Sequence, residues 1–448
     1  MRRSGGAAAG ALALVLALWT GGSAHALPLP QDTLARVTSL TGNAYPELEA
    51  LYQDLHRNPE VAFQETRTAE ILARRMEALG FDVTRGVGGT GFVAILRNGA
   101  GPTVMVRTEM DGLPMEEKTG LPYASKATGV FQGKETPTAH ACGHDIHMAS
   151  WIGAAKVLTQ LKDRWSGTLM FVAQPAEEGG HGAEAMLKDG IFKRFPKPDR
   201  GFALHVGPSP AGQVVLKDGQ LAATAEFVNL TFKGRGAHGS RPDEAIDPIM
   251  IASAFVTNVQ PVVSRQREPN THGVISVGSF NAGSTTNIIP EEAVLQLTLR
   301  ALNATEMERL KAGVRRTAEH VAAMNLAPPP VLTFRSGGPP LTNDRAVVAQ
   351  VTPALRQAFG DAFRFIPAEV PATGGADDYT HFVEAGVPSA YIRIGGADPA
   401  VLAAARARGE PAPANHSPFF APLPEPSIKT GVRVLSVAVL DALKVRKP

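Results

Sequence analysis

The sequence holds one cysteine in 448 residues, and it lies in "TAHACGHDIHMAS", with His140, His144 and His147 around it. A thiol two residues before an imidazole can share one ion with it if the backbone between them is extended or turning, although ordinary packing produces the same pair. Further along, the adjacent carboxylates Glu177 and Glu178 close an apolar run, as a solvated turn also would. His205 follows the apolar "GFAL", where an unpaired polar ring is costly to bury, and His416 precedes "SPFF", an apolar anchor for an otherwise loose loop. Cys142, His144, His205, His416 and a carboxylate of the Glu177-Glu178 pair form a borderline-soft donor set. Such a set suits zinc and tolerates other first-row divalent ions.

These residues need elements to position them. "YPELEALYQDLHRNP" and "RTAEILARRMEALG" have apolar residues at helical spacing, the second closing on Gly80. "GFVAILR", "PTVMVRTEMDG", "GTLMFVAQPAEEGG" and "RGFALHVG" are short apolar runs that open into polar or Gly-rich turns, the pattern of buried strands in an α/β sheet. In such sheets the chemistry collects beyond the carboxyl ends of the strands, and Asp111, Glu177, Glu178 and His205 fall there. A middle block differs. "AATAEFVNLTFKGRG" and "AVLQLTLRALN" alternate partially, and the helical stretches "DEAIDPIMIASAFVTNVQPVVSR" and "NATEMERLKAGVRRTAEHVAAM" intervene before a last strand "PPVLTFRSG". This predicts a small α+β unit inserted into the first domain, whose pattern resumes at "NDRAVVAQVTPALRQAFG". The Pro- and Ala-rich "ADPAVLAAARARGEPAPANHSPFF" reads as a surface excursion.

The N-terminus has Arg2 and Arg3, an apolar run and an A-x-A-like "SAHA", the order of a secretory signal cleaved near Ala26. The run is shorter than the ~20 residues of a spanning helix. The expected mature chain is exported, periplasmic or secreted, with no stable membrane span. Exported proteins usually carry cysteines in disulfide pairs, so a lone Cys142 is a small core residue, an intermolecular thiol or a ligand. At 44% hydrophobic and 19% charged the chain is ordinary globular material, long enough for two domains. A formal net charge of +2 gives no reason to expect a nucleic acid or an acidic membrane as partner.

"VRTEMDGLP", "HACGHDIHMA", "QPAEEGG", "ALHVG", "KGRGAHGSRPDEAIDPI", "GSTTNIIPEEA" and "NHSPFF" follow one another in the order found in the hippurate hydrolase, N-acyl-amino-acid amidohydrolase and auxin-conjugate hydrolase family. The resemblance runs from about Tyr45 to the C-terminus. It implies an α/β mixed-sheet catalytic domain of the two-metal exopeptidase type with an inserted α+β lid and dimerisation domain. The expected division is 1–26 signal peptide, 27–219 and 337–448 catalytic domain, and 220–336 inserted domain.

The resemblance also implies roles. Cys142 resembles a thiolate bridging two divalent cations, zinc or else manganese or cobalt. His144 and His205 would complete one ion's ligands, Glu178 and His416 the other's. Glu177 resembles the general base, Asp111 a carboxylate that orients a ligand histidine, and His238 a donor to the oxyanion, often across a homodimer. Asn287 and Arg300 are expected to hold polar groups of a small N-acyl-amino-acid or dipeptide substrate, and His147 to pack or support rather than ligate. The chain departs from the family pattern at Thr108-Glu109, commonly Ala-Asp, and at Asp377-Asp378-Tyr379, commonly Glu-Asp-Phe. Two other readings compete. "GVGGTG" mimics a dinucleotide fingerprint, but the strand-like segment comes after it rather than before it. The chain would also fit a metal-binding, non-catalytic scavenging protein of the same fold, against which the spare carboxylate Glu177 speaks.

Overall fold

The structure, a computed structural model, describes residues 28–443 apart from 180, 270 and 374, so the expected signal segment lies outside the described residues. Among the described residues no helix is long and apolar enough to cross a membrane.

The central sheet has eight strands in the order Asp82–Arg85, Phe92–Asn98, Gly167–Gln174, Thr103–Glu109, Arg200–Pro210, Ser389–Ala397, Val214–Lys217 and Phe363–Ile366. Its centre is parallel from Gly167–Gln174 through Ser389–Ala397, and antiparallel pairs flank it on both sides. The central strands are largely apolar because both faces are covered: all seven residues of Thr103–Glu109 are buried, Arg107 and Glu109 among them. The helices Gln31–Arg57, His144–Thr159, Arg345–Phe359 and Pro424–Leu443 join one core face. Met105, Met170, Val172, Ala203, Tyr379 and Tyr391 belong to the core of the other. The helices His144–Thr159 and Pro424–Leu443 approach closely at Gly153, where an added Cβ would lie 2.3 Å from Val432.

Residues 224–336 build a separate four-stranded antiparallel sheet, ordered Gly273–Ala282, Glu292–Ala301, Thr224–Lys233, Val331–Ser336. Along Glu292–Ala301 burial alternates, as expected of a sheet with one covered face. The helices Pro248–Asn258 and Ala304–Met324 cover that face, and Leu230, Phe232, Phe255, Leu295, Leu297 and Leu310 belong to a core of its own.

Local chemistry moves some element boundaries. The stretch read as one helix over 243–265 is broken into three: a 3-10 turn at Pro242–Glu244, the helix Pro248–Asn258, and a short turn of helix at Gln260–Ser264. Asp247 caps the middle piece by accepting from Ile249 N, and Pro248 opens it, the favoured position for proline. The first helix starts at Gln31, well before Tyr45, and carries Pro46 inside it. "GVGGTG" joins two antiparallel strands, Asp82–Arg85 and Phe92–Asn98, and opens no helix. The surface excursion contains the largely exposed helix Pro399–Arg408, capped by Asp398.

Candidate metal centre

The carboxyl ends of three adjacent parallel strands converge on the turn before the His144–Thr159 helix. Gly143 sits there with φ +89°, and an added Cβ would lie 2.4 Å from Val206, so only glycine lets the chain turn between Cys142 and His144. Asn415 fixes the same turn to its neighbours, its amide donating to the carbonyls of Cys142 at 2.9 Å and Val206 at 3.0 Å.

Two imidazoles are aimed by main-chain carbonyls. His144 Nδ1 donates to Asp111 O at 2.8 Å and His205 Nδ1 to Val206 O at 2.7 Å, which leaves both Nε2 atoms free to act as lone-pair donors. His205 Nε2 lies 3.4 Å from Cys142 Sγ. The donor atoms of Cys142, His144 and His205 lie within 4.8 Å of one another, and so do those of Cys142, Glu178 and His416. The two triads share the thiol. His416 has φ +68°, donates from its Nε2 to Glu178 Oε2 at 3.2 Å, and donates its amide to Ala141 O. His147 uses both ring nitrogens elsewhere: Nδ1 donates to Glu109 Oε1 at 2.8 Å and Nε2 accepts from Val206 N at 2.8 Å.

The Glu177-Glu178 turn is held by its backbone. Asp111 Oδ1 accepts from Glu177 N at 3.1 Å and Oδ2 from Glu178 N at 3.0 Å. The Asp111 carboxylate lies 3.5 Å from His144 Nδ1, farther than the Asp111 main-chain oxygen, so it fixes the acidic turn more directly than the ring.

Negative charge accumulates here. Burial, then Glu178 and Glu177, pushes the Cys142 thiol far up, and burial with Asp377 and Glu178 does the same to Glu177. Burial opposes ionisation of Glu178, yet its bond to His416 together with the charges of His416 and His144 outweighs this and holds it below the usual carboxylate range. His144 Nε2 and Glu178 Oε1 are buried without a hydrogen-bond partner. Such orphaned donors beside a buried thiol suit cations.

Beneath the centre lies a fully buried guanidinium. Arg107 reaches Glu109 Oε2 at 2.7 Å, Asp377 Oδ1 at 3.1 Å and Asp378 Oδ1 at 3.2 Å, and Tyr391 hydroxyl donates to Asp377. Sequence reasoning assigned nothing to Arg107 or Asn415, nor to His56, Glu65 and Glu117. A buried arginine in an apolar strand was the one available signal.

The inserted unit presents Arg300 to the centre: its charge acts on Glu177 and His416, and its Nη1 is buried without a partner. His238 and Asn287 are not brought there. Both are exposed at the small hairpin Ala237–His238 with Ile288–Ile289, and His238 Nδ1 meets Ser240 Oγ at 2.8 Å.

A mixed central sheet with a separate small sheet over a donor cluster defines a hydrolase of the metallopeptidase type. The profile of Peptidase family M20/M25/M40 matches residues 105–441, and the chain belongs to that family. It is similar to a hippurate hydrolase of Campylobacter jejuni, 37% identical over 62% of this chain and 70% of that one. An N-acetyl-L-cysteine deacetylase of Bacillus subtilis is 33% identical over 78% of this chain and 80% of its own. Among solved structures, the YXEP protein of Bacillus subtilis, a dinuclear metal-binding peptidase of the M20 family, superposes with a TM-score of 0.65 at 26% identity, covering 90% of this chain and 99% of that one.

Proposed function

We propose that the chain hydrolyses the amide bond of N-acyl- or aminoacyl-amino acids, hippurate-like conjugates or short peptides, using two divalent cations, zinc or alternatively manganese or cobalt. The observation that carries the reading is the pair of donor triads sharing Cys142 with Glu177 beside them. Cys142, His144 and His205 would hold one ion, and Cys142, Glu178 and His416 the other. Bound there, the ions supply Lewis-acid polarisation of the scissile carbonyl and a water acidic enough to lose a proton near neutral pH.

The chain's own residues do the rest. Glu177, whose amide is pinned by Asp111, takes the proton from the attacking water and returns it to the leaving amine. Arg300, with an unused Nη1, pairs with the carboxylate of the amino acid product, and Asn287 holds a further polar group. His238 donates to the oxyanion. Because it sits on an exposed hairpin, we assign that role to its copy in a partner subunit of a homodimer formed through residues 220–336. The chain is exported after loss of residues 1–26.

Purified protein assayed on N-acetyl, N-benzoyl, indole-acetyl and dipeptide substrates should lose turnover on chelation and regain it with zinc, manganese or cobalt. Cys142→Ala should lose metal together with activity. Full metal content in that variant excludes the shared thiolate. No turnover of any substrate by metal-replete protein excludes the hydrolytic reading.

A further inference from the structure

Glu65 stands at the N-cap of the Thr66–Ala78 helix, yet its side chain makes no capping bond. An acceptor there ordinarily serves the first-turn amides. Glu60 does so instead, with Oε1 accepting from Arg67 N at 3.0 Å and Oε2 from Thr68 N at 2.7 Å. Glu65 is thus spare to the helix. It is also fully buried, an expensive position for a carboxyl without a cationic partner.

Its side chain runs instead to the turn that carries the acidic pair. Glu65 Oε1 accepts from Ala176 N at 2.8 Å, while Oε2 accepts from the Thr90 hydroxyl. Ala176 has φ +50° and is completely buried. A residue with a Cβ enters that region only when its surroundings enforce it. The enforcement comes from both ends: the amide goes to Glu65, and the carbonyl accepts from His181 N at 3.3 Å and Gly182 N at 3.2 Å. With the two bonds to Asp111, three successive amides, those of Ala176, Glu177 and Glu178, converge on two buried carboxyls. Consecutive amides turned to one side form a concave anion site, and here side chains of the chain itself fill it.

We propose that Glu65 is a positioning residue for the Glu177-Glu178 turn, holding Ala176 in its left-handed conformation so that Glu177 faces the substrate and Glu178 the donor cluster. This rests on the roles given above to Glu177 and Glu178. The bond requires reach and an acceptor rather than charge. Glu65→Gln keeps an oxygen at the same distance and can still bond Thr90 through its amide. Glu65→Asp keeps the charge but is one methylene too short.

The test compares these two variants with wild type in metal-loaded protein, by kcat, KM, metal stoichiometry, thermal midpoint and the visible spectrum of the cobalt-substituted form. Glu65→Gln should keep kcat within about threefold. Glu65→Asp should lose at least about tenfold in kcat with little change in KM, and only this variant should shift the cobalt bands, which report the altered approach of Glu178. Equal kcat and spectra for Glu65→Asp and wild type overturn the proposal. So does a folded Glu65→Gln that falls as far as Glu65→Asp. If Glu65→Asp does not fold, Thr90→Val, which frees one oxygen of an intact Glu65, should give a smaller kcat loss of the same kind, and wild-type kinetics there overturn it. Failure of the hydrolytic reading shows separately as no turnover in wild type, and the cobalt spectra then decide the positioning role alone.

Discussion

His56 Nδ1 lies 2.6 Å from Asp145 Oδ2, with both side chains buried, while its Nε2 lies 3.1 Å from Glu117 Oε1. Burial alone would lower the pKa of the ring, but the bonds to Asp145 and Glu117 overcome this and raise it to about 9. Asp145 follows His144. The Glu117 loop bonds the His416 loop, through Lys118 N to Pro418 O at 2.8 Å. One imidazolium therefore ties together the segments carrying two donors of the centre.

A group with a folded pKa above its unfolded value contributes stability that is complete below the unfolded pKa, about 6.5 for histidine, and is lost as pH rises through the folded one. For a shift to about 9 this contribution is of order 3 kcal/mol. The thermal midpoint of wild type should fall between pH 7 and pH 10. His56→Gln should begin lower and fall less over that window. A midpoint for His56→Gln that runs parallel to wild type across the whole window would refute the charged form of His56.

Glu109 and Asp377, whose lengths differ from those the sequence resemblance leads one to expect, meet at one guanidinium. Glu109 is one methylene longer than that expectation and Asp377 one shorter, and both bond Arg107. The two changes read as an exchange of one methylene across a packed site. Glu109→Asp and Asp377→Glu should each destabilise the protein by about 1–3 kcal/mol through lost bonds and overpacking. The double variant should recover part of this, with a coupling energy of about 0.5–3 kcal/mol in a denaturation cycle. Additive losses would reject the compensation.

Those residues mark the limit of what the chain discloses unfolded. The helix and strand patterns and the donor residues around Cys142 were legible, because burial on both faces imposes continuous apolar runs and because thiol, imidazole and paired carboxylates are rare at strand ends. The Arg107 cluster was not, because it joins positions 107, 109, 377 and 378, which only the sheet order brings together. Glu65 was hidden for a different reason: it occupies a place where a capping acid is ordinary, and only the bond of Glu60 to Thr68 N reveals that it is free for another task. The break before Pro248 was written in Asp247-Pro248 and was overridden by the apolar periodicity around it.

The adjacent carboxylates can be told apart by what each loses. Glu178 lies with Cys142 and His416 in one donor triad, whereas Glu177 lies also with Asp377 and Asp378. Glu177→Gln should keep both ions while kcat falls at least about 10²-fold. Glu178→Gln should lose metal, measured by elemental analysis after dialysis. The reverse pattern would exchange their roles.

His238 tests the assembly. Its ring is exposed, bonded to Ser240 and not to the donor cluster, and the hairpin that carries it borders an open groove of about 530 Å³. Ile288, paired with His238 in that hairpin, is 58% exposed, and Met250 on the helix Pro248–Asn258 of the same unit is 62% exposed, apolar surface of the kind a subunit contact covers. As an oxyanion donor, His238 should cost roughly 2.7–4 kcal/mol of transition-state stabilisation when changed to alanine, with metal content intact. If the donor comes from a second subunit, His238→Ala and Glu177→Gln chains should complement each other, because one of the two composite sites in a mixed dimer then has both groups. The two chains are co-expressed with different tags and the mixed species is purified through both, so that subunit exchange is not assumed. Recovery of activity toward half that of a wild-type dimer supports the arrangement in trans. No recovery in verified mixed dimers, or a monomeric wild type by light scattering, rejects it and requires the inserted unit to close over its own chain.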